Sequence, residues 1–415
     1  MKQMPELPSI AHEELFTIAL GLTPPWAVTK MAFEGSPGEL HLYLDFVKGS
    51  VFPCPVCGRL CHVYDSDEAT WRHLNFFQYK CYLHARRPRV ECPDHKVLTV
   101  GVPWSRPDSG FSLLFEALAM MLVRQMPVAA AGRIVGEHDT RLWRIINYYV
   151  AKSRAKEDFS AVSRVGTDET ARRRGHNYVS LFADMDRAKV LFATEGKGSA
   201  TIKAFRNDFE AHQGKPENVA EFVIDMSPAF ISGVTEQFSG ASITYDRFHV
   251  IKLANEALDE VRRQEQIKRP ELKHSRYVWL KNQANHTVGQ AALFAELSQT
   301  NLKTARGYRI KLALQEFYHQ PVELAGPYLK KWYYWATHCR LQPFIELANT
   351  IKTHWDGVLR YATSKLTTGV LEGINSLVQA AKARARGYRN SNNFISMIYL
   401  IAGKLDFSWL TPTHP

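Results

Sequence analysis

The sequence predicts a multidomain protein with an α/β core built on a mixed sheet, preceded by a metal-binding β-ribbon and a helix-turn-helix. Three observations lead there. Five of the six cysteines crowd into residues 54–92. From residue 162 onward, strand-like and helix-like stretches alternate. Three acids then stand in distinctive contexts: Asp168 in VSRVGTDET, Asp225 closing EFVIDMS, and Glu372 opening LEGINSLVQAAKARARGYR.

Composition narrows the class. At 415 residues the chain is too long for one core, so roughly two to four domains are expected. A hydrophobic share of 45% with 22% charged residues is ordinary for globular protein and excludes long disorder. The 52 Lys+Arg against 41 Asp+Glu leave a formal +11. Such an excess attracts polyanions, nucleic acid foremost; a basic surface serving only solubility is the bland alternative. LFTIALGL, near the start, is too short for a signal peptide or a span, and acids precede it. The expectation is a soluble, cytoplasmic, nucleoid-associated protein that does not enter a membrane.

Residues 28–52 alternate apolar and polar, which predicts a hairpin turning near Gly35–Gly38. Then comes Cys54-Pro-Val-Cys57-Gly58, a turn that presents two thiolates to one tetrahedral ion, and its counterpart Cys92-Pro-Asp-His95. The segment between them is long enough for a two- or three-stranded ribbon to return. Cys54, Cys57, Cys92 and His95 are therefore the expected ligands of a structural Zn²⁺. Cys61 and Cys81 compete with them, and His62, His73 and His84 are further candidates. A four-ligand site has no open position and no catalytic role.

Pro103–Pro107 punctuates the chain as a linker, and helical periodicity follows from Phe111 to Val150 with breaks at Pro127 and at GEHD. In AAAGRIVGEHDTRLWRII, small residues allow close helix packing, Gly136 ends one helix, and Asp139 or Thr140 can cap the next. Thr140, Arg141 and Arg144 would face DNA from a recognition helix; a plain helical hairpin is the alternative. A polar helix is expected near 151–160.

Three strands (VSRVGTDET, HNYVSLFADMD, AKVLFATEG), then helix–strand–helix–strand, is the order of a ribonuclease-H-like fold. In such a sheet the first and fourth strands are neighbours, which sets Asp168 beside Asp225, with Glu372 on a helix crossing that edge. Clustered carboxylates repel, and divalent cations relieve the repulsion, so the triad reads as a site for Mg²⁺ or Mn²⁺. Asp246 is the rival carboxylate, with Arg247 expected as its salt-bridge partner. Asp184 and Asp186 read as turn residues. Residues 262–360 show only helical periodicity and form an expected all-helical insertion. Beyond Glu372, the bases Lys382, Arg384, Arg386 and Arg389 suit phosphate contacts, a solvated helix face being the alternative. The expected domains are 1–105, 106–160, 161–261, 262–360 and 361–415.

CPVCG, WRHLNFF, KCYLHARRPRVEC, TDET, VIDMSPAF, TYDRFHVIKLANEALDEVRR and LEGINSLVQAAKARARGYRN closely resemble the transposases of the ISL-three family of bacterial insertion sequences, over about residues 50 to 402. The resemblance implies a zinc-binding domain, a helix-turn-helix that recognises terminal inverted repeats, and a DDE catalytic domain whose triad falls on Asp168, Asp225 and Glu372. Two departures stand out: His95, where the family often has a fourth cysteine, and Thr368-Gly369, where Asn-Gly is expected. The partners implied are double-stranded DNA, as terminal repeats and target, and a second copy of the chain, because two ends must be cut together. A catalytically silent DNA-binding descendant is the alternative. A metal-dependent ribonuclease is disfavoured by the modules upstream.

Overall fold

The computed structural model describes residues 11–36, 38–173, 177–366 and 369–410. It divides into two compact units, residues 1–153 with 405–415, and residues 154–404. The last expected domain, 361–415, is therefore divided, with Leu405 onward grouping with the first unit. Trp409 packs on Tyr149 and Ser153 donates to the Asp406 carbonyl (2.8 Å), within the first unit.

In the first unit, helix α1 (His12–Ala19) leads into β1 (Trp26–Glu34), β2 (Glu39–Phe46), β3 (Val51–Pro53), β4 (Leu60–Phe76), β5 (Tyr79–Cys92) and β6 (Lys96–Thr99). The expected hairpin is β1–β2. The ribbon is not a separate two- or three-stranded piece. All six strands share one sheet, ordered β1-β2-β5-β4-β3, with β6 on β5. The alternation in β2 and β5 explains the merger: Leu40, Leu42, Leu44, Cys81, Leu83 and Ala85 need one common core, and parallel β2–β5 pairing supplies it. Trp26, Trp71 and Trp104 meet edge-to-face in that core. Trp104 belongs to the expected linker, which is thus packed rather than loose.

Helices α2 (Leu113–Gln125), α3 (Val128–Val135) and α4 (Asp139–Arg154) follow. Ser112 caps α2, and Gly136 closes α3 in the left-handed region at φ 71°. Gly132 lets the turn close: a Cβ there would stand 2.6 Å from the Glu137 carbonyl oxygen. The cap before α4 falls on His138, whose Nδ1 accepts from the Thr140 N–H (3.3 Å); Asp139 is already helical. No separate helix covers 151–160, because α4 runs on to Arg154 and the chain then turns.

The second unit opens with β7 (Arg164–Arg173), β8 (Asn177–Asp184) and β9 (Lys189–Glu195), then α5 (Ser199–Ala211), β10 (Glu221–Ile224), α6 (Pro228–Gln237), β11 (Ser242–Tyr245) and α7 (Arg247–Gln266). Strand order is β11-β10-β7-β8-β9; β10 pairs parallel with β7 and β11, and β7–β8–β9 is an antiparallel meander. Then come α8 (Arg276–Leu280), α9 (Val288–Ser298), α10 (Lys303–Phe317), α11 (Val322–Thr337), α12 (Gln342–Thr353) and α13 (Trp355–Ser364). These helices share one hydrophobic core with the sheet: Phe182 and Phe222 at one end, Leu258 on α7, and Trp279, Leu314 and Phe344 beyond. Helices α14 (Gly369–Arg384) and α15 (Ser391–Ala402) end the unit. Thr368, one of the departures noted above, lies outside the described residues.

Candidate functional sites

The two CxxC-type turns converge. Gly58, at φ 72°, donates to the Cys54 carbonyl (2.9 Å), while the Cys54 N–H reaches Arg59 (2.8 Å) and folds the first knuckle. The His95 N–H returns to the Cys92 carbonyl (3.2 Å) in the second. Sulfur and nitrogen then stand at Cys54 Sγ–His95 Nδ1 3.8 Å, Cys57 Sγ–Cys92 Sγ 3.7 Å and Cys92 Sγ–His95 Nδ1 3.5 Å. A tetrahedron with Zn–S near 2.3 Å and Zn–N near 2.0 Å has edges of about 3.5–3.8 Å, so the four groups fit that ion. Backbone N–H groups of Cys57 and Val56 hold the Cys54 thiol below its usual range, toward the thiolate a metal needs.

The rival ligands have other places. Cys61 sits outside the four and donates to the Arg59 carbonyl (3.4 Å). Cys81 lies in the sheet core, where burial pushes its thiol up to about 12. His73 pairs with Ser112 (2.7 Å), His84 with His41 and Thr70 (2.9 Å each), and His62 is exposed.

In the helix-turn-helix, Thr140 and Arg144 are exposed on α4. Arg141 is held by an ion pair with Glu137 and lies over the Phe111 ring, 4.3 Å from its centroid. Glu137 also faces the buried Arg72 of β4 (3.5 Å), which ties the sheet to the turn. A second buried network fixes the preceding stretch: fully buried Glu116 accepts from Arg106 (3.0 Å), Ser109 (2.7 Å) and Tyr149 (2.6 Å). The interlocked charges give the sheet and the helices one fixed register.

In the second unit, Asp168 stands in the middle of β7, not at its end as the sequence pattern suggests, because β7 runs on to Arg173; the shorter β10 stops at Ile224, and Asp225 follows it beside Asp168. Asp246 likewise follows β11. Helix α14 is laid along β7 by a matched repeat. Leu371 covers Gly166, Asn375 donates to Asp168 Oδ2 (2.5 Å), and Gln379 donates to Thr170 Oγ1 (2.6 Å). Four helical residues advance about 6 Å and two strand residues about 6.6 Å, so alternate strand positions meet successive helix turns. Gly166 makes the approach possible, since its Cβ would stand 2.9 Å from Leu371 Cδ1. Glu372, exposed in the first turn of α14, lies three residues before Asn375.

Burial, with the charges of Asp246 and Asp225 adding to it, raises the Asp168 carboxyl above its usual range. Asn375 Oδ1, beside it, is a buried oxygen with no hydrogen-bond partner. A crowd of carboxylates with an orphaned amide oxygen is a donor set for a hard cation. Among the described residues, only the Cys/His group draws three or more such ligand atoms within 4.8 Å of one another; the carboxylates stand farther apart.

Asp246 is buried, caps α7 through the Phe248 N–H (3.1 Å), and meets His249 Nδ1 (2.8 Å). The salt-bridge partner in the structure is thus His249, while the Arg247 guanidinium lies over Tyr318. The Asp246 hydrogen bond raises the His249 pKa, and the charges of Asp225 and Asp168 act in the same direction. Sequence reading passed over His249, Asn375 and Gln379. The spacing Asp246-x-x-His249 at a helix start was the available signal for the first. Asp184, by contrast, is the turn residue expected, accepting from the Asp186 and Arg187 N–H groups. Of the basic candidates, Lys382 donates to the Ala171 carbonyl (2.6 Å), and Arg384, Arg386 and Arg389 are exposed at the far end of α14.

A four-ligand zinc-type knuckle, a helix-turn-helix and an α/β unit carrying grouped acids, in one basic chain, are the parts of a DNA-binding protein. Comparison with known families bears on which one. Residues 165–398 match the model described as "Transposase" for the ISL3 group, residues 101–150 the helix-turn-helix domain of transposase family ISL3, and residues 50–95 the zinc-finger of transposase IS204/IS1001/IS1096/IS1165. The transposase for insertion sequence element IS1557 of Mycobacterium tuberculosis is 28% identical over 382 residues, covering 84% of this chain and 85% of that one. The transposase for IS1001 of Bordetella parapertussis is 28% identical over 400 residues, 92% and 96% of the two chains. The chain belongs to the ISL3 family of DDE transposases.

Proposed function

We propose that this chain binds the terminal inverted repeats of an insertion sequence, cuts DNA strands there and joins the freed ends to a target. The observation that supports the reading is the laying of α14 on β7 through Asn375 and Asp168, which brings the helix of Glu372 to the strand position beside which β10 ends and Asp225 follows. Asp168, Asp225 and Glu372 are the carboxylates we assign to catalysis, on what we read as a ribonuclease-H-like sheet with the helices of residues 262–360 inserted before α14. Mg²⁺ or Mn²⁺, when bound, would supply Lewis-acid polarisation of the phosphodiester and of the attacking oxygen.

The chain's own groups do the rest. Asn375 fixes the Asp168 carboxylate through its N–H, and the pair on Asp246 holds His249 at the rim of the site. Structural Zn²⁺ on Cys54, Cys57, Cys92 and His95 would stabilise the first unit, and Thr140 and Arg144 would read the repeat in the major groove. Each chain carries one such site, so cutting both ends calls for a homodimer or larger assembly on DNA.

Asp168→Asn, Asp225→Asn and Glu372→Gln each remove a metal ligand and almost no volume. Each should abolish Mg²⁺-dependent nicking of a labelled element end while leaving end binding within about twofold, read by gel shift. Nicking at the wild-type rate in Asp225→Asn would move the assignment to Asp246. Wild-type protein that binds ends and never nicks them would favour the silent descendant.

A further inference from the structure

Two arginine-rich segments more than two hundred residues apart converge at the far end of the β7–α14 contact. One is Arg172 and Arg173, closing β7; the other follows α14 and holds Arg386 and Arg389. Arg172 and Arg173 donate to the same Arg389 carbonyl, at 3.0 and 2.7 Å, and Lys382 donates to the Ala171 carbonyl at 2.6 Å. That carbonyl is filled by two donors, yet a guanidinium carries five N–H groups, so each arginine keeps donors to offer outward.

The setting differs from the arginines of the first unit's sheet. There Arg86, Arg87 and Arg89 are paired with Asp45, Asp67 and Asp65, which is how an exposed charge ladder is neutralised. Among the described residues, Arg172, Arg173, Lys382, Arg386 and Arg389 have no carboxylate partner. Arg172, Arg173 and Lys382 are gathered by two backbone carbonyls, with Arg386 and Arg389 exposed on the adjoining segment; cations so grouped repel one another, and a polyanion is what relieves that.

We propose that this cluster grips the phosphate backbone of duplex DNA roughly four nucleotides from the phosphate being cut. The placement rests on the reading of Asp168 and Glu372 as catalytic. Four strand residues separate Asp168 from Arg172, about 13 Å, and ten helical residues separate Glu372 from Lys382, about 15 Å. The strand and the helix thus give the same separation by independent routes. At 3.4 Å of helix axis per nucleotide, it corresponds to roughly four nucleotides.

The test has two arms, both on the full zinc-loaded chain. In the first, a fluorescent random-sequence duplex is titrated at several salt concentrations. Arg172→Gln with Arg173→Gln should weaken binding and reduce the slope of log affinity against log salt by about two, since each phosphate contact contributes ~0.9. Arg172→Lys with Arg173→Lys keeps the charge and should restore the slope. A slope unchanged in the Gln pair, with the fold intact by circular dichroism, overturns the grip.

In the second arm, neutral methylphosphonate linkages are scanned along an end duplex and compared with the nick mapped in Mg²⁺. Interference should peak roughly three to five nucleotides from the nick. A peak at the nick itself, or a full helical turn away, overturns the placement. Nicking that persists in Asp168→Asn would instead fail the catalytic reading, and the salt slope would still decide whether the cluster holds DNA.

Discussion

Arg141 and Arg144 sit one turn apart on α4, and their surroundings separate their roles. Arg141 is committed to Glu137 and to the face of Phe111, whereas Arg144 is exposed. Arg141→Ala should therefore lower the stability of the first unit by about 1 kcal/mol in a denaturant titration. Arg144→Ala should leave stability within about 0.5 kcal/mol and weaken binding to the specific end by roughly 1–3 kcal/mol if it reads a base. An equal effect of the two on binding alone would mean that Arg141 leaves Glu137 to reach DNA. His73 gives a second test. Burial first, and the neighbouring Arg72 charge second, depress its pKa to about 4. A depressed folded pKa means that protonation favours the unfolded chain. Stability should fall as pH drops from about 6.5 to about 4, by at most ~3 kcal/mol. His73→Gln should remove that part of the acid sensitivity, and identical acid unfolding of variant and wild type would reject the assignment.

At the scale of elements, the helix-turn-helix depends on two glycines for different reasons. At Gly132 an added methyl meets backbone, the Glu137 carbonyl oxygen at 2.6 Å, and neither partner is free to swing aside. At Gly136 the methyl meets only the end of the Lys80 side chain at 3.2 Å, and the penalty is the left-handed φ of 71°. Gly132→Ala should cost roughly 1–3 kcal/mol and Gly136→Ala about 1 kcal/mol. Thermal melts giving the reverse order would show that the turn relaxes at Gly132. The strands and helices themselves were largely legible in the sequence, because alternation and 3.6-residue periodicity are local. The expected helix near 151–160 was not found as a separate element. Its first residues simply continue α4, whose buried face, Ile146, Tyr149, Val150 and Ser153, holds the helix together to Arg154.

For the whole molecule, Zn²⁺ held by the Cys54, Cys57, Cys92 and His95 group would add directly to the stability of the first unit. The knuckle ties the turn between β3 and β4 to the turn between β5 and β6, and the core of the six-stranded sheet reaches Trp104 just before the helices. Elemental analysis should find one zinc per chain, and Cys57→Ser should lose it. The variant should lower the stability of the first unit by roughly several kcal/mol, because metal binding energy is folding energy in such sites. Retention of one zinc with an unchanged melt would point to Cys61 taking over as ligand.

The sequence by itself determined the order of modules, the grouping of Cys54, Cys57, Cys92 and His95, and the place of Asp225 at the end of its strand. Each is a matter of short-range spacing: two residues between ligands, two per strand repeat, a glycine where φ turns positive. Within the described residues, tertiary structure decided the rest. It set β2 beside β5, matched α14 to β7 every turn, gave Asp246 to His249, and gathered Arg172 and Arg173 onto the carbonyl of Arg389. These contacts join residues distant in sequence, or choose among neighbours of equal charge. Only the packing of a shared core fixes which of them meet.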